Sequence, residues 1–330
     1  MNVRRRHISA VALTAVAALG FGTLTACSSD SAAAGDTGTF DVVASFYPMA
    51  FLAERIGGEH VHVTSLTQPG QEPHDLEISA RQTAQLEEAD AALYLKGLQP
   101  SVDEAIGQSP IATKIDAAEL TALEEHGTEA GHGEEHGEGH EDEHSHEDEH
   151  GHDHDHEGGD PHIWLDPVKY AEVAEGVGKA LQKADPDHAA DYRKNTATLV
   201  KDLEALDEKF RTGLTNRTSD VFVTTHAAFG YLAERYGLTE EAISGLDPDT
   251  EPSGARVKEL QKIAKDDGVT TVFYETLVSD KTAKTLAGDT GLKTDVLDPV
   301  EGITDHSRGE DYFQVMEANL TALRTALGAR

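Results

Sequence analysis

Cysteine occurs once in this sequence, at Cys27, so no intrachain disulfide can form. Basic residues are scarce: 27 Lys and Arg face 61 Asp and Glu, a formal net charge of -34. That balance excludes nucleic acid and anionic membrane surface as partners and suits a cationic ligand. After the first two dozen residues no apolar run approaches the ~18 residues of a membrane-spanning helix. One stretch lacks almost everything a core needs. From Glu124 to Asp160 there are 16 Asp and Glu, ten histidines and no Lys or Arg.

The N-terminus reads as a targeting segment. Arg4, Arg5 and Arg6 form a charged region, followed by the short apolar stretch Val11 to Leu19. It closes on Leu24-Thr25-Ala26-Cys27, which resembles the bacterial lipoprotein cleavage box. That resemblance implies a cut before Cys27, a lipid on its sulfur, and an extracytoplasmic protein anchored to the cell membrane by that lipid. Residues 28–39, SSDSAAAGDTGT, are small and polar and read as a flexible tether.

From Phe40 strands and helices alternate, which predicts parallel sheets in α/β lobes. FDVVASF, HVHVTSL and AALYLKGL read as strands, with helices in PMAFLAERIGG and SARQTAQLEEAD. A second series follows from VFVTT, through the strands EEAISGL, TTVFYE and KTDVLDP, to a C-terminal helix in EDYFQVMEANLTALRTALG. Between the two series, Tyr192, Leu199, Leu203, Leu206 and Phe210 recur at helical spacing from about Pro186 to Leu214. At about 1.5 Å per residue that helix exceeds ~35 Å, the length of a strut between lobes. The expected organisation is a leader (1–27), the tether (28–39), and an N-terminal α/β lobe (40–185) carrying the loose 124–160 loop. A connecting helix (186–215) and a C-terminal α/β lobe (216–330) complete it.

Seven histidines lie outside the leader and the tract. His60 and His62 sit in a strand, His188 opens the long helix and His306 lies in a polar loop; solvated or structural roles suit these four. His74, His162 and His226 differ, each lying beyond a strand or in a tight Pro-bearing loop: QEPHDLE, GDPHIWLDP, VTTHAAFGYL. Loops beyond the carboxyl ends of parallel strands line ligand crevices. Three histidines in such places point to one shared metal.

The stretches PGQEPHDLEIS, DPHIWLDP, TTHAAFGYLAERYGL, GLDPDTEPS, FYETLVS and LDPVEGIT carry a resemblance. From Phe40 to the C-terminus, the tract aside, the chain resembles the metal-binding solute-binding lipoproteins of bacterial ABC importers, zinc branch. The resemblance implies two α/β lobes on a rigid connecting helix, with histidine ligands at His74, His162 and His226. It implies a fourth, acidic ligand after the last strand, Glu301 by motif, with Asp298 and Glu275 as alternatives. Glu275 reads as a structural carboxylate capping the following helix. Three imidazoles and a carboxylate suit tetrahedral Zn²⁺, whereas Mn²⁺ wants more oxygen. Manganese-carrying relatives place a carboxylate where His226 stands. The implied role is Zn²⁺ capture for a membrane permease driven by an ATPase, by a monomer with no bond-making chemistry.

The tract histidines are His126, His132, His136, His140, His144, His146, His150, His152, His154 and His156. HExxH occurs at His140–His144 and His146–His150, but without the apolar helix face that a metalloprotease needs to hold both rings. The tract reads instead as a loose zinc collector, its mobile sites weaker than a preformed cleft. Competing readings are a Mn²⁺ or Fe²⁺ receptor of the same architecture, a secreted zinc hydrolase, and an adhesin or metal buffer.

Overall fold

The computed structural model describes residues 39–126 and 159–330. Strand β1 (Phe40–Ala44) has its last three residues buried, as a strand covered on both faces requires. Helix α1 (Tyr47–Gly57) carries Pro48 in its first turn and stops at Gly58, whose φ of 58° is a left-handed conformation that favours glycine. β2 (Val61–Ser65), α2 (Ala80–Glu88) and β3 (Ala91–Tyr94) follow; Ser79 and Gln82 form a reciprocal capping box on α2. Then come α3 (Pro100–Gln108) and β4 (Thr113–Asp116). The order β2-β1-β3-β4, all parallel, makes the first sheet.

α4 (Pro167–Ala184) and α5 (Ala189–Gly213) lie between the sheets in sequence. The second sheet contains β5 (Val221–Thr224), β6 (Thr239–Ala242), β7 (Thr271–Tyr274) and β8 (Lys293–Val296). Its order, β6-β5-β7-β8, is again parallel throughout. α6 (Gly230–Tyr236), α7 (Gly254–Asp266) and α8 (Lys281–Thr290) cross over between its strands, and α9 (Tyr312–Leu327) closes the chain. The expected fold class, two α/β lobes with parallel sheets and one long helix, is what forms. No helix among the described residues is long and apolar enough to cross a membrane.

α5 is 25 residues long, about 37 Å at the α-helical rise. Tyr192, Leu199, Leu203, Leu206 and Phe210, the residues picked out by spacing, are all buried on it. They share one hydrophobic cluster with Leu52 and Tyr170 on one side and Phe222 and Leu323 on the other. Further cross-links tie the halves. Trp164 donates its indole N–H to the carbonyl of Pro299 at 2.7 Å, and Tyr312 donates its hydroxyl to the carbonyl of Trp164 at 2.6 Å. Arg235 pairs with the buried Asp166 at 2.6 Å.

The sequence reading missed α3 and β4. Both are short, nine and four residues, and β4, TKID, contains a single apolar residue, Ile115. It also placed His60 in a strand; His60 instead closes a 3-10 turn (Gly58–His60) before β2.

Candidate metal centre

Four side chains meet between the sheets: His74, His162, His226 and Glu301, with one potential ligand atom from each within 4.8 Å of the others. His74 lies in the loop after β2, and His226 stands two residues beyond β5. Glu301 follows β8, while His162 opens a 3-10 turn (Ile163–Leu165) that leads into α4. Three of the four lie beyond carboxyl ends of parallel strands, where the geometry of such sheets opens a crevice. The ring centroids form a near-equilateral triangle with sides of 5.5, 6.0 and 5.4 Å.

Glu301 Oε1 lies 3.4 Å from Nε2 of His74, 3.4 Å from Nε2 of His162 and 3.7 Å from Nε2 of His226. These separations are long for N–H···O hydrogen bonds, which centre near ~2.9 Å. The two to His74 and His162 match the edge of a tetrahedron around zinc, whose ligands at about 2.0–2.1 Å from the ion stand about 3.3–3.4 Å apart, and the one to His226 is slightly longer. Nε2 of His162, Nε2 of His226 and Oε2 of Glu301 are buried without a hydrogen-bond partner. Buried polar atoms are rarely left unpaired, because that costs roughly 1–3 kcal/mol each. The donor set therefore fits a divalent cation.

The ring orientations have identifiable causes. Asp160, fully buried, accepts from both the backbone N–H of His162 (2.9 Å) and its Nδ1 (2.7 Å). Glu275 accepts from Nδ1 of His226 at 2.7 Å and from the hydroxyl of Thr225 at 2.6 Å. A proton held on Nδ1 leaves the lone pair on Nε2, where a metal would sit. His74 receives support of another kind, its backbone N–H donating to Glu72 Oε1 at 3.2 Å.

The charges act on one another. Burial disfavours the charged ring of His162, but the Asp160 and Glu301 carboxylates outweigh it and push the ring up to about 9. Burial likewise opposes protonation of His226, and Glu275 and Glu301 outweigh it, raising the ring well above the ordinary histidine range. Glu301 is held well below the usual carboxylate range, since the three histidines overcome its desolvation. Glu72 is pushed up to about 9 by burial and by the Glu301 charge. Divalent metal must displace protons from such a site.

The backbone that presents Glu301 is constrained. Val300, a β-branched residue, has a φ of 59°, an outlying conformation that persists only where its surroundings hold it. Its side chain is fully buried and its N–H donates to Asp298 Oδ1 at 2.8 Å, while Trp164 holds the neighbouring Pro299 carbonyl. Asp298, an alternative fourth ligand by sequence, thus braces the loop, its other oxygen accepting from Thr276 at 3.0 Å.

Glu275, the remaining alternative, neither joins the four nor caps α8; the N-cap of that helix is Asp280. It orients His226 instead, because β5 and β7 are neighbours and their ends place Thr225, His226 and Glu275 side by side. Asp160 and Glu72 were not singled out from sequence. The spacings Asp-Pro-His and Glu-Pro-His were their only signal, too common to be decisive.

Of the tract, only His126 falls among the described residues. It is docked, with Nδ1 3.1 Å from Asp160 Oδ2 and Nε2 2.9 Å from Glu234 Oε2. His132, His136, His140, His144, His146, His150, His152, His154 and His156 lie outside the described residues, as do Cys27, the leader and the tether up to residue 38.

Two α/β lobes with three histidines and a carboxylate meeting between them define a two-lobed metal-binding protein. A family model described as the zinc-uptake complex component A, periplasmic (ZnuA) matches residues 42–326, and the chain belongs to that family. It is 36% identical over 307 residues to the zinc-binding lipoprotein AdcA of Streptococcus pneumoniae, covering 91% of this chain and 58% of the relative. The chain thus spans little more than half the length of AdcA. It is 35% identical to the high-affinity zinc uptake system protein ZnuA of Bacillus subtilis, over 87% of each chain. Among solved structures, the Zn(II)-bound ZnuA-like domain of S. pneumoniae AdcA superposes with a TM-score of 0.69 at 32% identity, covering 88% of this chain and 99% of that one. The laminin-binding protein Lmb of Streptococcus agalactiae, described as a bifunctional adhesin and metal transporter, gives 0.73 at 29% identity over 88% and 99%.

Proposed function

We propose that this protein is an extracytoplasmic receptor that captures Zn²⁺ and delivers it to an ABC-type permease driven by a cytoplasmic ATPase. It acts as a monomer, held at the membrane by a lipid on Cys27. The ligands are His74 and His162 from the N-terminal lobe (40–185) with His226 and Glu301 from the C-terminal lobe (216–330), the 186–215 helix holding the lobes apart. One observation carries this reading: three Nε2 atoms lie 3.4–3.7 Å from a single Glu301 oxygen, at or slightly above the edge length of a zinc tetrahedron.

Two features speak for a receptor over a hydrolase. A catalytic zinc keeps one coordination position for water, and here Glu301 occupies the fourth. A carried ion needs a complete shell that protons and small movements can dismantle. His226 distinguishes zinc from manganese, since a neutral imidazole in place of a carboxylate suits the softer ion.

Competition titration with zinc, manganese and iron tests the proposal. One tight site preferring zinc is expected, together with growth in zinc-poor medium that depends on the protein and a permease. Equal or tighter manganese binding overturns it. Adhesion is a second reading, favoured by the likeness to Lmb, and binding to laminin-coated surfaces measures it separately.

A further inference from the structure

We propose that the start of α3 is the clamp that places His74, with Gln99 as the positioning residue that sets how fast Zn²⁺ leaves the cleft. Gln99 touches none of the four converging side chains by hydrogen bond, and its role rests on the reading of His74 as a ligand.

Gln99 is the N-cap residue of α3 and is 1% exposed. Its amide nitrogen donates to the carbonyl of Pro73 at 3.0 Å and to the hydroxyl of Thr67 at 3.0 Å. The same Pro73 carbonyl accepts the N–H of Leu76 at 3.2 Å, closing the turn Pro73–Leu76, whose second residue is His74. The other end of that turn is held from the same helix. Ser101 donates its hydroxyl to the carbonyl of Leu76, and the Leu76 side chain is buried in one cluster with Val102 and Ile106. His162 and His226 are directed through their rings, with Nδ1 on Asp160 and Glu275. His74 is directed through its backbone, and both ends of its turn hang on α3.

The Gln99 amide has one workable orientation. Pro73 offers only a carbonyl, and the Thr67 hydroxyl already donates to the carbonyl of Ser45 at 2.8 Å, so both neighbours need a donor. Turned over, Oε1 would face two acceptors. As it stands, Oε1 is buried without a hydrogen-bond partner. A side chain that leaves half of its amide unsatisfied fills a core poorly, and an apolar residue of that length would pack better. What Gln99 supplies is its two N–H bonds, and through them the place of His74. Ser45, Thr67 and Gln99 stand beyond the carboxyl ends of β1, β2 and β3, so the sheet itself carries the clamp.

The test follows zinc release from the full chain by stopped-flow mixing with excess chelator, and capture by mixing with zinc alone. Gln99→Met keeps the side-chain length and removes both N–H bonds; Ser101→Ala, at a half-buried position, frees the other end more gently. Release should quicken by about tenfold in Gln99→Met, as loss of a ligand's supporting partner does, and by less in Ser101→Ala, with capture unchanged. A merely structural role would act without regard to His74, so each substitution is repeated in the His74→Ala chain. There neither should weaken zinc binding further, since no ring remains to be placed. Hydrogen exchange of the metal-free protein adds a second readout: the Leu76 amide should exchange faster in Gln99→Met while amides of α5 keep their protection. Release at the unsubstituted rate, an equal effect with and without His74, or loosening of α5 together with Leu76 each overturns the clamp. Should Gln99→Met fail to fold, Ser101→Ala carries the same comparisons. Tight binding that survives His74→Ala undiminished contradicts the proposed function instead and is read separately.

Discussion

His226 donates Nδ1–H to Glu275 Oε1 at 2.7 Å, with both side chains buried. The bond crosses from the end of β5 to the end of β7 and turns Nε2 toward Glu301. Glu275 touches none of the converging Nε2 atoms by hydrogen bond, yet it sets which nitrogen of His226 is free. Glu275→Gln should preserve the fold and weaken zinc binding by about 10–100-fold, the usual effect of losing a histidine's carboxylate partner. Titration against a chelator of known affinity measures this; unchanged affinity would mean the ring is held by packing alone.

On the proposed reading His226 also sets selectivity. His226→Asp replaces an imidazole with a hard oxygen ligand, so zinc affinity should fall by more than tenfold while manganese affinity rises. Parallel calorimetric titrations with the two ions decide it. A zinc preference that survives the change would place selectivity elsewhere.

The pH dependence has a definite sign. In the metal-free protein His162 titrates at about 9 and His226 is raised as well. Protons therefore compete with zinc through the neutral range, and apparent affinity should fall as pH drops from about 9 toward 6. The same shift acts on stability. A raised histidine contributes most below its unfolded value near ~6.5 and loses that contribution as pH rises through the folded value. The metal-free form should thus lose melting temperature between pH ~6.5 and ~9, the zinc-loaded form much less. Scanning calorimetry of both forms checks this, and parallel curves would contradict it.

Trp164 links the two halves of the site. Trp164→Phe keeps the aromatic volume but removes the N–H that holds the Pro299 carbonyl at 2.7 Å. An unpaired buried carbonyl costs about 1–3 kcal/mol, so the melting temperature should fall by several degrees. Zinc should also dissociate faster, because Pro299 and the strained Val300 position Glu301. A variant with lowered stability but unaltered zinc release would separate the brace from the site.

Release is expected to begin at His74. The rings of His162 and His226 are pinned by buried carboxylates, whereas His74 stands in an irregular loop anchored through its backbone to Glu72. The shared core along α5 and the Trp164–Pro299 link oppose wide opening. Crystal structures with and without zinc should differ mainly in residues 66–79. Ligand positions that hardly change would refute this.

Much of the molecule was legible in the sequence because its signals are local. Strand–helix alternation gave the fold class, the spacing of Tyr192, Leu199, Leu203, Leu206 and Phe210 gave the long helix, strand-end loops gave His74 and His226, and a tight Pro-bearing loop gave His162. The supporting carboxylates were not legible. Asp160 and Glu275 matter because of what lies beside them in space, and β5–β7 pairing brings Glu275 to His226 from 49 residues away. His126 shows the same limit, since its sequence neighbours are those of any tract histidine and its docking on Asp160 and Glu234 exists only in three dimensions.

The central claim is convergence of His74, His162, His226 and Glu301 on one ion. Diffraction from zinc-loaded crystals, with anomalous differences collected on both sides of the zinc absorption edge, tests it most directly. The account predicts one strong peak about 2.0–2.1 Å from each Nε2 and within bonding reach of Glu301. A cleft without that peak, or a peak that leaves any of the three rings uncoordinated, would contradict it.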